Sequence, residues 1–244
     1  MENYIGHCAV CGHIGEFKKN NPSFREGYQC EKCRASLRYR GQAESILNTY
    51  KNYQGLNLTE LVNVTQFNTM HIYEPGVIGP FRELFKDFEN YHNSFYWDDV
   101  NYGEEKDGVV CQSLEALTYN DDSFDLILSS DIMEHVRRPW IAFAEIYRVL
   151  KPAGYHIFTI PVHLPMRAKT NYRVDTTTDE DIFLEQPHYH GNGIGGRSLV
   201  YTDFGKDITD HLQEIGFIVS LDTMESDHPE VKKMLTFTTQ KPLK

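Results

Sequence analysis

Apolar and polar positions alternate along the chain in a way that predicts strands separated by helices. Several short apolar runs have the length and the β-branched or aromatic content of buried strands. The predicted strands are residues 70–73, 91–97, 109–111, 124–128, 155–160, 217–221 and 234–237. Seven strands at this spacing predict one central sheet.

Helical stripes lie between several of these strands. Pro80 stands at a first-turn position, where its missing N–H costs nothing, and apolar residues follow it at helical spacing. Further helices are predicted at about 35–53, 140–150 and 204–216, and residues 151–154 are expected to stop the second of these. Strands that alternate with helices predict a doubly wound, mainly parallel α/β sheet.

The cysteines are concentrated at the N-terminus. Four of the five form two Cys-x-x-Cys pairs, Cys8 with Cys11 and Cys30 with Cys33, separated by 18 residues. This spacing is typical of a zinc ribbon, in which each pair presents two thiolates to one tetrahedral ion. We therefore predict a structural Zn²⁺ bound by these four residues; the alternative is two coincidental pairs of buried thiols. Cys111 is expected in the core.

These patterns divide the chain into three parts. We predict a zinc ribbon at 1–34, a connecting helix and linker at 35–68, and a main domain at 69–244. Within the main domain, residues 161–201 are long for a connection and contain several histidines and glycines. This insertion is either a binding segment with glycine hinges, Gly193 among them, or a solvated loop.

Composition and charge exclude several classes of function. The 244 residues carry a formal net charge of −11, which disfavours tight binding to nucleic acid or to anionic lipid. No run approaches the roughly 18 apolar residues that span a bilayer. The first residues lack the pattern of a signal peptide. We therefore expect a cytoplasmic protein with no membrane partner.

The segment from Phe124 to Gly154 resembles a known family. A buried strand runs into Ser129-Ser130-Asp131 and then Glu134-His135, and the next helix ends in Glu-Ile-Tyr-Arg-Val-Leu-Lys-Pro-Ala-Gly. This order resembles the class I S-adenosylmethionine (SAM)-dependent methyltransferases, from about residue 69 to the C-terminus. The resemblance implies a seven-stranded, Rossmann-like methyltransferase fold, SAM as the cofactor and methyl transfer as the activity.

The resemblance also implies where SAM binds. The turn after the first strand of the main domain, with Glu74, Gly76 and Gly79, matches the motif that holds the methionine end of the cofactor. The other cofactor residues that it implies are Asp98 for the ribose, Gln112, Ser113, Leu114 and Glu115 for the adenine, and Ser130, Asp131 and His135 near the sulfonium.

An acidic domain favours a small polar acceptor. The resemblance to compact methyltransferases of this kind further implies O-methylation of a sugar or sugar-derived metabolite in surface polysaccharide biosynthesis. A sugar hydroxyl has a high pKa, so a base that titrates near neutral pH is expected beside it, and histidine is the usual choice. His190 is the first candidate and His188 the second, with His163 and Asp131 in reserve. The alternative is that proximity alone suffices.

Two other functions fit parts of the sequence. An RNA base methyltransferase could use a basic cluster formed by Lys18, Lys19, Arg34, Arg38 and Arg40. A non-enzymatic SAM-binding scaffold would explain the incomplete glycine motif at residues 74–79. A steep loss of RNA affinity with salt would favour the first function, and turnover of any acceptor would eliminate the second.

Overall fold

A computed structural model of the chain describes residues 3–50, 55–192 and 194–243. The strands are β1 (Tyr4–His7), β2 (Ile14–Phe17), β3 (Ile72–Pro75), β4 (Tyr91–Phe95), β5 (Glu105–Lys106), β6 (Val109–Cys111), β7 (Phe124–Ser130), β8 (Leu150–Thr159), β9 (Asn171–Tyr172), β10 (Val174–Asp175), β11 (Ile182–Phe183), β12 (Tyr189–Gly191), β13 (Arg197–Leu199), β14 (Thr202–Asp203), β15 (Ile218–Thr223) and β16 (Leu235–Gln240). The α-helices are α1 (Leu37–Thr49), α2 (Leu58–Leu61), α3 (Thr65–Asn68), α4 (Pro80–Phe85), α5 (Pro139–Val149) and α6 (Ile208–Ile215). None of the helices in these ranges is long and apolar enough to cross a membrane.

The central sheet has the strand order β15-β16-β8-β7-β3-β4-β6-β5. The inner pairs are parallel, whereas β15, β16 and β5 pair antiparallel with their neighbours. The predicted mainly parallel, doubly wound sheet is confirmed. The sheet has an eighth strand, β5, which pairs with β6. It was not predicted because its two residues do not form an apolar run in the sequence.

Period-two alternation in the central strands builds a core on each face of the sheet. Ile72 and Leu126 belong to one apolar cluster, together with residues of α1 and α4. Their sequence neighbours Tyr73 and Ile127 belong to the other, together with residues of α5 and α6. Successive side chains of a strand point to opposite faces, so strands covered on both faces are almost continuously apolar.

Two predicted boundaries differ from the structure. The helix predicted at 35–53 is α1, which ends at Thr49, and its predicted last residues lie outside the described ranges. Helix α5 ends at Val149, in agreement with the stop predicted at residues 151–154, but β8 begins at Leu150 rather than at the predicted residue 155, and Ala153 has a φ of +65°. The backbone of this segment pairs with the end of the chain, because Ala153 N donates to Lys241 O and Lys241 N to Gly154 O.

The N-terminal segment packs against the sheet domain through α1. Arg40 of α1 is 1% exposed, and its guanidinium carbon lies 3.6 Å from the centre of the Phe17 ring. The same guanidinium donates hydrogen bonds to the carbonyl oxygens of Tyr28, at 3.1 Å, and His7, at 2.8 Å. One buried cation therefore joins β1, β2 and the loop after them to α1.

Replacing this cation tests its contribution to the fold. In Arg40→Met the carbonyl oxygens of His7 and Tyr28 lose their donors, so we expect the free energy of unfolding to fall by about 2–4 kcal/mol. Urea denaturation measures the change. Arg34→Met, at an exposed position, is the matched control and should stay within about 0.5 kcal/mol of the parent. Equal losses in the two variants would contradict this role for Arg40.

Candidate functional site

The candidate site forms where β3 and β7 end. These two strands are neighbours and run parallel, so their carboxyl ends lie at the same edge, which is where ligands bind in open α/β sheets. Glu74 and Gly76 lie at the end of β3, and Ser130 and Asp131 at the end of β7. The sequence predictions for these two strand ends therefore come together in space.

Glu74 is a buried carboxylate with a neutral hydrogen-bond donor. The residue is 4% exposed, and its Oε2 accepts a hydrogen bond from the Tyr91 hydroxyl at 2.7 Å. Burial raises the pKa of Glu74 to about 7, and the bond from Tyr91 only partly opposes that effect. A cation placed beside Glu74 would favour its ionised form.

The two glycines after β3 have different surroundings. Gly76 has a φ of +135°, and a Cβ built there would meet only Ile132 Cδ1, at 3.8 Å, among the described side chains. Gly79 has a φ of +126°, and its Cβ would lie 2.8 Å from the Tyr39 hydroxyl. Gly76 therefore borders space that a ligand could enter, whereas Gly79 accommodates the contact with α1.

Asp131 accepts two hydrogen bonds and forms a further ion pair. Thr159 Oγ1 donates to Asp131 Oδ1 at 2.9 Å, and Arg25 Nη2 donates to the same oxygen. Arg38 Nε lies 3.4 Å from Oδ2 but donates its hydrogen bond to Glu26 Oε1, at 2.7 Å. Burial raises the pKa of Asp131, but Arg25 and Arg38 outweigh burial and hold it below its usual range. Asp131 is therefore a fixed anion, which does not suit the reserve role of general base suggested by the sequence.

Helix α1 is also bonded to the strand ends. Gln42 is fully buried, and its Nε2 donates to the carbonyl oxygens of Ser129, at 3.2 Å, and Ile157, at 2.8 Å. The Ser130 hydroxyl donates to Gln42 Oε1 at 2.6 Å. Ser130, predicted to line the sulfonium, is thus positioned by a side chain from outside the sheet.

The predicted adenine turn is braced by its own side chains. Gln112 Nε2 donates to Thr118 Oγ1 at 2.6 Å, and Thr118 N donates to Gln112 Oε1 at 3.0 Å. Ser113 Oγ accepts from Glu115 N at 3.2 Å, and the Glu115 carboxylate accepts from the backbone and Nε of Arg138 at 2.8 and 2.6 Å. These bonds fix the turn from within.

Two further predicted cofactor residues, Asp98 and Leu114, follow β4 and β6. Asp98 is exposed and follows β4 by three residues, beside the hydroxyl of Tyr96. Leu114 is 7% exposed and belongs to the same apolar cluster as Ile127. Asp98 is therefore accessible near the end of β4, whereas Leu114 packs in the core after β6.

Two predicted histidines gather around a glutamate to which the sequence assigned no role. Glu134 and His135 lie in a 3₁₀ turn, Met133–His135, that follows β7. Glu134 Oε1 lies 3.6 Å from His135 Nε2 and 3.8 Å from His190 Nδ1. The contact with Glu134 raises the pKa of His190. His188 Nε2 lies 3.2 Å from His190 Nε2, whereas His163 is exposed.

Several residues of this site were missed by sequence reasoning. Glu134 had a visible signal, since it precedes His135 in the segment that carries the family resemblance. Arg25, Arg38 and Gln42 had none, because they lie about 90 to 110 residues from their partners in the chain. Of these three, Arg38 was visible in the sequence only as a member of the basic cluster considered for RNA binding.

The four N-terminal cysteines come together as the spacing predicts. Cys8 Sγ lies 3.7 Å from Cys33 Sγ, and Cys11 Sγ lies 3.6 Å from Cys30 Sγ. All four sulfur atoms lie within 4.8 Å of one another. Four thiolates around one Zn²⁺, with Zn–S bonds of about 2.3 Å, require sulfur separations of about 3.8 Å. The cluster therefore has the dimensions that a zinc ion needs.

A cavity of about 650 Å³ lies elsewhere, between β1, α1 and residues 224–228. His7, Arg40 and Glu44 contribute to its walls. None of the predicted SAM residues lines it, so it is not a part of the site at the strand ends.

Comparisons with known proteins match the sheet domain. The family described as "methyltransferase domain" matches residues 95–158. An uncharacterized methyltransferase of Mycobacterium avium and another of Mycobacterium tuberculosis are each 47% identical to the chain over 49 residues, which are 20% of this chain and 19% of the relative. The chain thus spans about a fifth of the length of these curated relatives.

Two solved structures are similar to the chain at low sequence identity. A SAM-dependent methyltransferase from Mesorhizobium loti is 16% identical, with a TM-score of 0.47 over 75% of this chain and 95% of that one. One from Methanosarcina mazei is also 16% identical, with a TM-score of 0.40 over 72% and 94% of the two chains. The match to the methyltransferase-domain family thus covers residues 95–158, which lie within the Rossmann-like sheet domain.

Proposed function

We propose that this protein transfers the methyl group of SAM to a hydroxyl group of a small polar acceptor. The observation that carries the proposal is the end of β3, where the buried carboxylate of Glu74 lies beside the open space at Gly76. A ligand with a cationic amino group would supply the charge that the Tyr91 hydroxyl does not. The methionine end of SAM has such a group.

The remaining cofactor assignments follow the order of the strand ends. In this proposal Asp98 binds the ribose, the turn at 112–115 contacts the adenine, and the strand end at Ser130–Asp131, with His135 beside it, faces the sulfonium. SAM supplies a methyl carbon attached to a good leaving group, so the protein's main task is orientation. The bracing of the turn by Gln112 and Glu115, and of Ser130 by Gln42, serves that task.

We further propose that the acceptor is a sugar or a sugar-derived metabolite, as used in surface polysaccharides. The support is the overall charge of −11 and the polar character of the segment around Glu134, His135 and His190. The proton of the acceptor hydroxyl needs a destination. Of the predicted bases, His188 and His190 lie beside this segment, so that role stays with them as a prediction.

The rival RNA function loses most of its support in the structure. Arg38 and Arg40 are buried, and Lys19 lies 2.5 Å from Glu230. Of the predicted basic cluster, Lys18 and Arg34 remain exposed. Two exposed cations on an acidic protein are a weak electrostatic footprint for nucleic acid.

The N-terminal cysteines are proposed to hold a structural Zn²⁺. The separations between sulfur atoms fit a tetrahedral ion, and four thiolates leave no coordination position open for substrate. Arg25 lies between the two cysteine pairs in sequence and reaches Asp131 in the sheet domain. The ion would thus stabilise the segment that positions Asp131.

A labelling experiment tests the proposed activity. With methyl-labelled SAM, we expect transfer to a sugar-containing acceptor and none to RNA. Gly76→Val should weaken SAM binding by roughly tenfold or more and abolish transfer, because the new side chain would occupy the space beside Glu74. Isothermal calorimetry measures the affinity.

Gly108→Val is the matched control for Gly76→Val. Gly108 also has a positive φ, +76°, and its Cβ would meet only Glu105 Oε1, at 4.0 Å, among the described residues. The control also places a valine at a positive φ, but away from the carboxyl ends of β3 and β7, and it should keep SAM affinity. SAM affinity unchanged in Gly76→Val would refute the assignment of this turn.

The raised pKa of Glu74 predicts a pH-dependent stability. In the unfolded chain a glutamate titrates near pH 4.3, whereas the pKa of Glu74 in the fold is about 7. The stability that protonated Glu74 contributes is therefore complete below about pH 4.3 and is lost as the pH rises through 7. Relative to Glu74→Gln, the parent should lose up to about 3 kcal/mol of unfolding free energy between these values.

Urea denaturation of both proteins at about pH 5 and about pH 8 measures this difference. The glutamine amide stays neutral across the range, so the variant lacks this one titration and shares all the others. SAM should remove part of the difference at high pH, because its amino group favours the ionised carboxylate. Parallel pH profiles of parent and variant would show that Glu74 does not titrate as its burial requires.

Zinc analysis tests the ribbon. Protein purified without chelator should contain one zinc ion per chain, and Cys30→Ser should lower that content and make the N-terminal segment more susceptible to proteolysis. Cys111→Ser is the control, because Cys111 is buried in the sheet domain away from the cluster. Absence of zinc from the parent protein, or full zinc content in Cys30→Ser, would exclude the site.

A further inference from the structure

Glu134 is a buried carboxylate whose two oxygens find no hydrogen-bond partner among the described residues. Its side chain is 2% exposed. Burying an ionised carboxylate without a hydrogen bond or a counter-charge is costly. The turn that carries Glu134 is nevertheless fixed, since the Glu134 carbonyl oxygen accepts a hydrogen bond from Tyr201 N at 2.8 Å. Something absent from the described chain should therefore complete this site.

Two imidazoles face this carboxylate from separate elements. His135 Nε2 lies 3.6 Å from Glu134 Oε1, and His190 Nδ1, from β12 of the insertion, lies 3.8 Å from the same oxygen. One ligand atom from each of the three residues falls within 4.8 Å of the other two. The distances from Glu134 are too long for hydrogen bonds, yet they leave room for a small ion between the groups.

The second nitrogen of each imidazole already has a neighbour. His135 Nδ1 lies 2.7 Å from the carbonyl oxygen of Leu199. A carbonyl can only accept, so Nδ1 carries a proton, and in the neutral ring Nε2, which lies 3.6 Å from Glu134 Oε1, has a free lone pair. A carbonyl bond of this kind is the usual outer contact of a histidine that binds metal. His190 Nε2 lies 3.2 Å from His188 Nε2, which leaves Nδ1 of His190 for the ion.

We propose that Glu134, His135 and His190 bind a divalent transition-metal ion. With bonds of about 2.1 Å and tetrahedral angles, the ligand atoms would lie about 3.4 Å apart, and the two measured separations are 3.6 and 3.8 Å. Two imidazoles with one carboxylate favour iron, zinc or a neighbouring ion over Mg²⁺ and Ca²⁺, which prefer oxygen ligands. Three protein ligands leave at least one coordination position open.

An ion at this site could activate the hydroxyl group of the methyl acceptor. This role rests on the proposed function, whereas the binding of the ion does not. An ion held there lowers the pKa of a hydroxyl group that reaches the open position. In this arrangement His190 holds the ion instead of acting as the base predicted from the sequence, and the proton passes to water. The hydroxyl oxygen then forms the new bond to the methyl carbon. The C–S bond breaks with its electron pair left on sulfur, which gives a neutral thioether.

The simplest competing explanation is an ion pair between Glu134 and a protonated His190. It accounts for one contact, but it leaves His135 Nε2 facing the carboxylate without a proton to donate. It also makes no prediction about added metal. The two explanations therefore differ in what a titration with metal shows.

The experiment is a titration with Mn²⁺ of protein that holds one zinc ion per chain, with free Mn²⁺ measured by electron paramagnetic resonance. A single equivalent of zinc goes to the thiolate cluster, because thiolates select zinc, and this leaves the site at Glu134 open to Mn²⁺, which prefers nitrogen and oxygen ligands. The parent should bind one Mn²⁺ per chain and gain thermal stability from it. Glu134→Gln and His190→Gln should each weaken binding by at least the roughly 10–100-fold that changes around metal sites cause, with no gain in stability.

His163→Gln is the matched control, because His163 is an exposed histidine of the same insertion; it should bind Mn²⁺ like the parent. Unchanged zinc content and SAM affinity in all variants would show that they are folded. No Mn²⁺ binding by the parent, or equal binding by Glu134→Gln, would overturn the proposal. If the parent binds Mn²⁺ but not SAM, the ion site stands and the proposed methyl transfer fails.

Discussion

The contact between Asp131 and the two arginines Arg25 and Arg38 joins the N-terminal segment to the candidate site. Asp131 ends β7 in a left-handed conformation, with a φ of +54°, and places its carboxylate between the two guanidinium groups and Thr159. Partly buried charges are favourable only when they are paired and hydrogen-bonded. This pairing fixes the backbone at the point from which Glu134 and His135 follow.

The N-terminal segment is therefore part of the site's architecture. Arg25 lies in the loop between the two cysteine pairs, Arg38 and Gln42 lie on α1, and Arg40 joins α1 to the β1–β2 hairpin. A segment this small cannot build a sufficient core of its own, so the sulfur cluster and the sheet domain have to stabilise it from two sides. Loosening of the cysteine cluster should therefore change the position of Asp131 through these side chains. This effect requires no contact between the cluster and a substrate.

Sequence periodicity was sufficient for the sheet, because each central strand is covered on both faces and is therefore apolar along its length. It could not find β5, whose two residues pair only through the backbone, or the start of β8, where Lys151 to Gly154 has the composition of a helix stop but pairs with Lys241. Local spacing likewise predicted the cysteine cluster and the ends of β3 and β7. The contacts of Arg25, Gln42 and His190 depend on how distant segments dock, and no local pattern encodes that.

The three carboxylates near the strand ends differ in how far the chain itself neutralises their charge. Asp131 has two cationic partners within the chain, whereas Glu74 has a hydroxyl and the oxygens of Glu134 have no hydrogen-bond partner among the described residues. A buried carboxylate that the chain does not neutralise lowers the stability of the ligand-free protein. Such a carboxylate gains most from a cation that binds, because the interaction is strong where water is excluded. The amino group of SAM at Glu74 and a divalent ion at Glu134 would each supply that missing charge. Glu74 and Glu134 would then lower the stability of the ligand-free protein and, for the same reason, favour the binding of cofactor and acceptor. Both effects would arise at the ends of two neighbouring strands, β3 and β7.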